Sequence, residues 1–371
     1  MSAHPPEDAP APAALGDLFD VYEVRQQDEQ VLYFGRAGAD RSTVERELWP
    51  LFREHGYEVR LASRTGELVL VADPIDATSD DRDVPWTNVA LLVATVASTL
   101  FVGANWYYVD PISPEIVHAV PFTLSVLGVL AVHEFGHYAM SKYHDVDASL
   151  PYFIPFPSLF GTMGAVIRMR GRMPDRKALF DIGAAGPLAG LVAAVVVSAV
   201  GLWLPPVTVP ADVATSASAV RIEFDYPLLL RGIAAAIGEP LSYSDPTRSV
   251  NPVVMGGWIG MFVTFLNLLP VGQLDGGHIL RSLAGEAAGR LAPVVPTALF
   301  SLGAYLWVVE DAGNAAGIWL MWGLLASVVS LSGSVQPVDD RPLDRRRVAL
   351  GVLTFALGAL CFMPLPIQIV G

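Results

Sequence analysis

The strongest limit on the fold is a set of apolar segments about as long as a bilayer is thick, one of which carries an ionisable cluster. Residues 115–141 form an apolar run of about 27 residues interrupted by His133-Glu134-Phe135-Gly136-His137. Two histidines four apart lie on one face of a helix, close enough to grip one metal ion. The glutamate beside the first is well placed to take a proton from a water activated by that metal. Ionisable groups in hydrocarbon are costly and face a cavity or one another.

The 371 residues are 53% hydrophobic and 16% charged, the profile of a polytopic α-helical membrane protein rather than one large soluble core. The net charge of −14 excludes nucleic acid as a partner, since nothing here neutralises phosphates in bulk. Most of that charge lies in the first 84 residues, where 18 Asp and Glu face 8 Arg. The lone Cys361 excludes an internal disulfide and a cysteine metal cage. The amino-terminal region lacks the pattern of a cleaved signal peptide.

In chain order, residues 1–15 read as a disordered Pro/Ala tail and 16–73 as a small soluble α+β domain of ββαββ pattern. Its strands are expected at 19–25, 30–34, 57–62 and 68–71, with Ser42 and Glu45 as a capping box opening a helix to about His55. Residues 74–85 form an acidic linker. A transmembrane core follows at 86–285, with spans expected at 86–108, 116–141, 178–204 and 252–274. Further carboxy-terminal spans fill 286–371, at 292–309, 315–331 and 347–366, for six to seven in all. Gly183, Gly186, Pro187 and Gly190 open the third span, and small residues there let helices approach closely.

If the soluble domain is cytoplasmic, segments 142–177, 275–291 and 332–347 share its side and carry six, two and four Lys or Arg. The short opposite loops 109–115 and 310–314 carry none, a positive-inside pattern. The chain is therefore expected to be a multi-pass protein of the cell membrane, its amino-terminal domain and site toward the cytoplasm.

A second motif, residues 267–278 (Asn-Leu-Leu-Pro-Val-Gly-Gln-Leu-Asp-Gly-Gly-His), ends the fourth span. Two histidines leave a catalytic zinc site one protein ligand short. Asp275 is the best candidate, with Asp181 and His278 as rivals. Pro270 and the glycines should unwind the helix, which is tolerated at membrane depth where the backbone lines a polar cavity. His144 reads as solvated, and His118 as too far away.

An intramembrane HExxH with a later Leu274-Asp275-Gly276 resembles the site-2 protease family of intramembrane zinc metalloproteases. Residues 149–155, 161–165, 176–181, 186–190 and 267–278 resemble the branch with plant chloroplast and cyanobacterial members. The likeness is strong over roughly 85–285. It implies a metalloendopeptidase binding one zinc through His133, His137 and Asp275, with Glu134 as the proton acceptor. Asn267 would hydrogen-bond substrate backbone or the developing oxyanion. The substrate would be a transmembrane protein segment in the lipid bilayer, partly unwound to expose the cut. Where the plant members carry Gly-Asn-Leu-Arg, this chain reads Gly35-Arg36-Ala37-Gly38.

Two other classes can be set beside this one. A metal-ion transporter would need polar residues along the whole path, whereas here they cluster toward one end of two spans. An inactive protease-like scaffold would not need every catalytic position intact. Residues 161–173 are β-prone, and an extended edge there is expected to lie beside the metal and pair with unwound substrate.

Overall fold

The computed structural model describes residues 5–6, 8–64, 67–75, 85–214 and 221–370. The chain divides into two compact units. One comprises Met1–Val84, Arg170–Arg176 and Gln336–Arg341, and the other Pro85–Met169, Lys177–Val335 and Pro342–Gly371.

In the first unit the described elements are β1 (Phe19–Gln27), β2 (Gln30–Ala37), α1 (Arg41–Glu54), β3 (Tyr57–Arg64) and β4 (Glu67–Pro74). They form an antiparallel sheet in the order β1-β2-β4-β3. Side chains alternate across a strand, so Val31 and Tyr33 of β2 share a core with Val44, Leu48 and Phe52 of α1. Leu32 and Phe34 cluster instead with Val69 and Val71.

Two expectations change here. The capping box does not form, because Asp40 is the cap and accepts from the Ser42 and Thr43 amides at 3.1 Å. Glu45 is buried and accepts from the Leu61 amide at 3.0 Å and from Arg172 at 2.8 Å. Burial alone would raise its pKa, but the Leu61 amide, Arg172 and Arg41 bring it below the usual carboxylate value. Nor does a disordered tail reach residue 15. Ala9 and Leu15 are buried, and Tyr33 donates to the Pro10 carbonyl at 2.8 Å. The same unit takes in Met173–Asp175, paired in parallel with Pro337–Asp339. Residues 76–84, most of the expected acidic linker, lie outside the described residues.

The second unit is mostly helical. Its elements include α2 (Trp86–Trp106), α3 (Val120–Tyr143), β5 (Tyr152–Pro155), β6 (Thr162–Val166), α4 (Arg176–Trp203), β7 (Arg221–Phe224), α5 (Leu228–Ile237), α6 (Val253–Asn267), α7 (Asp275–Ala284), α8 (Val294–Val308), α9 (Gly313–Leu331), α10 (Arg345–Ala359) and β8 (Ile367–Val370). Among the described residues, four helical segments are long and apolar enough to cross a bilayer: Trp86–Trp106, Pro114–Tyr143, Arg176–Trp203 and Gly313–Leu331. A fifth arises if Asp275–Leu291 and Val294–Val308, bent by 61°, make one span. The chain is thus a multi-pass helical membrane protein with a small amino-terminal sheet domain. The helix expected over 252–274 stops at Asn267 and restarts at Asp275, with Pro270 in the gap.

Segment 142–177, whose residues 161–173 are expected to form an extended edge, contains a hairpin. β5 and β6 pair antiparallel from Tyr152↔Val166 to Pro155↔Thr162. The hairpin lies along α2. Asn88 donates to the Leu150 and Pro151 carbonyls at 2.9 and 3.0 Å, Ser98 donates to the Gly161 carbonyl, and Trp106 donates to the Leu159 carbonyl at 2.9 Å. Asn88 to Trp106 is about 27 Å of helix, so the hairpin follows nearly the whole length of a membrane-crossing element. Periodicity cannot signal this depth, because the partners that satisfy the hairpin backbone come from a helix some 60 residues away.

Candidate metal centre

The helical period alone sets His133 and His137 side by side on α3, with both rings buried. Their Nε2 atoms are 3.2 Å apart. The break after Asn267 brings Asp275 to them as the first residue of α7, where the helix dipole favours a carboxylate. Asp275 Oδ2 lies 3.4 Å from His133 Nε2 and 3.3 Å from His137 Nε2. That oxygen is buried and has no hydrogen-bond partner.

The tautomer of His137 follows from its other nitrogen. Nδ1 is 2.8 Å from the Ile182 carbonyl, which can only accept, so Nδ1 carries the proton and Nε2 presents a lone pair. The Nε2 lone pair of His137 and the unpartnered Asp275 oxygen therefore face each other across 3.3 Å. Ligands about 2.0–2.1 Å from a tetrahedral ion lie about 3.3 Å from one another. The three edges measured here are 3.2, 3.3 and 3.4 Å, so the donor set fits such an ion.

The surrounding residues complete the site. Glu134 is buried next to the cluster, with the Ile167 amide, just past β6, near its carboxylate. Asn267, the last residue of α6, places its amide nitrogen 3.3 Å from His133 Nε2. Glycines of α4 form the wall. A Cβ on Gly186 would stand 2.0 Å from His137 Nε2, and one on Gly190 would stand 2.8 Å from His133 Nδ1.

Every residue expected at the site is thus near it: His133, Glu134, His137, Asn267 and Asp275. The rivals for the third metal position part ways. Asp181 is engaged by Arg347 and His144, away from the triad. His278 is buried one turn after Asp275, and its Nε2 has no partner. His144 is not simply solvated but half-buried against Asp181 at 2.9 Å. His118 bonds to its own turn at Glu115. Sequence reasoning missed the Ile182 carbonyl and the Ile167 amide, because backbone groups leave no trace in residue identity. The Gly186-x-x-x-Gly190 spacing signals close packing, though not the partner.

The fold and site define a class, a polytopic membrane protein holding a His-His-carboxylate cluster beside a buried glutamate. The profile of Peptidase family M50 matches residues 121–309, and the chain belongs to that family. It is 35% identical over 290 residues to the probable zinc metalloprotease EGY1, chloroplastic, of Arabidopsis thaliana, covering 75% of this chain and 50% of that protein. Identity to the EGY1 protein of Oryza sativa subsp. japonica is 32% over 291 residues, covering 75% and 48%. Identity to the probable zinc metalloprotease EGY2, chloroplastic, of Arabidopsis thaliana is 31% over 258 residues, covering 68% and 43%. The chain spans about half the length of the curated relatives it matches. No solved structure gives a significant match.

Proposed function

We propose that this chain is an intramembrane zinc metalloendopeptidase that cuts membrane-embedded protein segments. The observation that carries it is the 3.2–3.4 Å triangle of His133 Nε2, His137 Nε2 and Asp275 Oδ2 beside a buried Glu134. These three residues would hold one zinc per chain, in keeping with relatives named as zinc metalloproteases. Bound there, zinc supplies a Lewis acid that acidifies a water and polarises the scissile carbonyl.

The chain's own groups do the rest. Glu134 takes the proton from the attacking water and delivers it to the leaving amine. The Ile167 amide, near the Glu134 carboxylate, would steady it for both transfers. Asn267 is positioned to donate to the developing oxyanion or to substrate backbone. The β6 edge offers an unwound substrate replacement backbone bonds next to the proton acceptor. The transporter reading draws no support from the relatives, which carry protease names.

We extend the proposal to topology: seven spans, with the soluble domain of 16–73 and the site facing the cytoplasm across a cell membrane. The core of 86–285 would carry the chemistry, followed by the further helices of 286–371. Basic residues support the orientation, and parity supports the count. Met173–Asp175 pairs with Pro337–Asp339, so an even number of crossings separates them. β7 pairs with β8, which asks for an even number there too. Since α4 crosses once, an odd number falls between Phe224 and Pro337, and α10 must then cross as well. With the bent α7–α8 and α9 crossing, α6 is needed to keep that number odd.

The test pairs metal content of detergent-purified protein with cleavage of membrane proteins in cells. Glu134→Gln should keep about one zinc per chain and lose cleavage, whereas His133→Ala and Asp275→Ala should lose both. A Glu134→Gln chain that still cleaves sinks the mechanism.

A further inference from the structure

Residues 181–186 of α4, about a turn and a half, touch the metal cluster from several directions. The Ile182 carbonyl accepts from His137 Nδ1 at 2.8 Å. A Cβ on Gly183 would stand 2.9 Å from His278 Cβ and 3.5 Å from the Asp275 carbonyl. Gly186 lies under His137 Nε2, and the Ala185 carbonyl would be 2.7 Å from a Cβ on Gly136 of α3. A small rotation of this turn moves the partner of one metal ligand and the seat of another together.

The one charged side chain in this stretch is Asp181, and side chains from two other helices hold it. Arg347, in the first turn of α10, grips both carboxylate oxygens, Nε to Oδ1 at 2.9 Å and Nη2 to Oδ2 at 2.7 Å. The remaining arm of that guanidinium, Nη1, donates to Asp344 Oδ2 at 2.7 Å, and Asp344 caps α10. His144, which ends α3, sets Nε2 2.9 Å from Asp181 Oδ2. All three groups of the hub are partly buried, with side-chain exposures of 17% for Asp181, 17% for His144 and 31% for Arg347. A two-point guanidinium–carboxylate pair fixes direction as well as distance, which a single ion contact does not.

We infer that the Asp181–Arg347 pair, braced by His144, is a positioning device for the metal site, setting the rotation of the α4 turn that orients His137 and seats Asp275. It acts through the Ile182 carbonyl and Gly183, and touches neither ion nor substrate. The inference rests on the reading that His133, His137 and Asp275 hold a metal ion.

The test is metal affinity of the full detergent-purified chain, titrated with zinc against a competing chelator and with cobalt by its visible absorption. Loss of partners that orient metal ligands typically costs 10- to 100-fold in affinity. Asp181→Asn and Arg347→Ala should each weaken zinc binding by about that much and shift the cobalt bands. The double variant should be no worse than the poorer single one, because both changes remove one interaction. Arg347→Lys keeps the charge without the fork and should recover only part of the affinity. It also serves in place of Asp181→Asn if that chain does not fold. Folded variants with lowered melting temperature but zinc affinity within twofold of wild type and unchanged cobalt bands would show a merely structural pair and overturn the inference. A wild-type chain that takes up no metal would instead overturn the site reading beneath it.

Discussion

Replacing Gly186 by alanine perturbs the metal site without altering any ligand. The added Cβ would stand 2.0 Å from His137 Nε2 and 2.4 and 2.5 Å from the neighbouring ring carbons. Ordinary contact begins at 3.4 Å, so ring and helix must separate by about 1.4 Å. The ring cannot swing away freely, because it is buried and its Nδ1 is tied to Ile182 on the same helix as the new methyl. Metal–ligand distances tolerate about 0.2 Å, several times less than this displacement. We expect Gly186→Ala to lower zinc affinity by roughly a hundredfold or more, about 3 kcal/mol. Gly128→Ala is the control: it lies on the same helix as the histidines, and its Cβ would meet nothing within 4 Å. The assay is zinc competition on both purified variants, with melting temperatures to establish folding. Equal zinc affinity in the two folded variants would refute the close-wall account.

Ile167→Pro deletes the amide near Glu134, and Val166→Pro disturbs the strand paired with Tyr152; both should keep zinc and lose at least tenfold in cleavage, and normal cleavage by both removes the strand-edge role. In a Cys361→Ala background, Ile112→Cys should react with impermeant thiol reagents on intact cells while Arg170→Cys stays protected, and the reverse pattern sinks the cytoplasmic placement. Chelation should lower the melting temperature of the wild type and of Glu134→Gln but not of Asp275→Ala, since a ligand that binds only the folded state stabilises it; an Asp275→Ala chain with the wild-type shift would contradict the ligand assignment. Glu45 has a folded pKa below its unfolded value of 4.5, so its contribution is present above that value and lost as pH falls through the folded pKa. The protection factor of the Leu61 amide in the full chain, referred to the intrinsic exchange rate at each pH, should therefore fall on acidification and in Glu45→Gln, and protection factors unchanged in both would rule out Glu45 as the holder of that strand.

The parts of this molecule legible in the sequence are those governed by local periods. Histidines four apart must share a helical face, and alternation places the strands of the amino-terminal sheet to within a few residues. Pro270 marks the break that delivers Asp275. What stayed hidden depends on partners far away in the chain. Glu45 looks like a capping residue because Ser42 precedes it by three, yet Asp40 takes the cap and Arg172 takes the glutamate. His144 looks solvated because it follows a charged turn, yet Asp181 reaches it from 37 residues away. The β-prone run of 161–173 shows an extended edge, and the prolines and glycines exclude a helix, but neither shows that the edge pairs with 152–155. Asn88, Ser98 and Trp106 are what allow the hairpin to lie along α2.

These distant partners also explain why the ionisable cluster can exist among apolar helices. Two members of the cluster come from one helix, but the third has to come from elsewhere, and helices approach this closely only where one face lacks side chains. Gly186 and Gly190 supply that face. Breaking α6 before Asp275 frees backbone groups, and the loop absorbs some of them locally: the Val271 amide donates to the Leu269 carbonyl, Leu274 to Val271, and His278 to Leu274, at 2.8, 3.2 and 3.0 Å. The carboxylate then arrives at a helix N-terminus, where its charge is favoured even before a cation is present. Its inner oxygen is nevertheless left without a donor while facing the lone pair of His137. A stable apolar helix pair has no use for such an arrangement, whereas an ion shared by all three groups removes the penalty and ties α3 to α7. On the proposed function, holding the site together and activating water would be two consequences of one geometry.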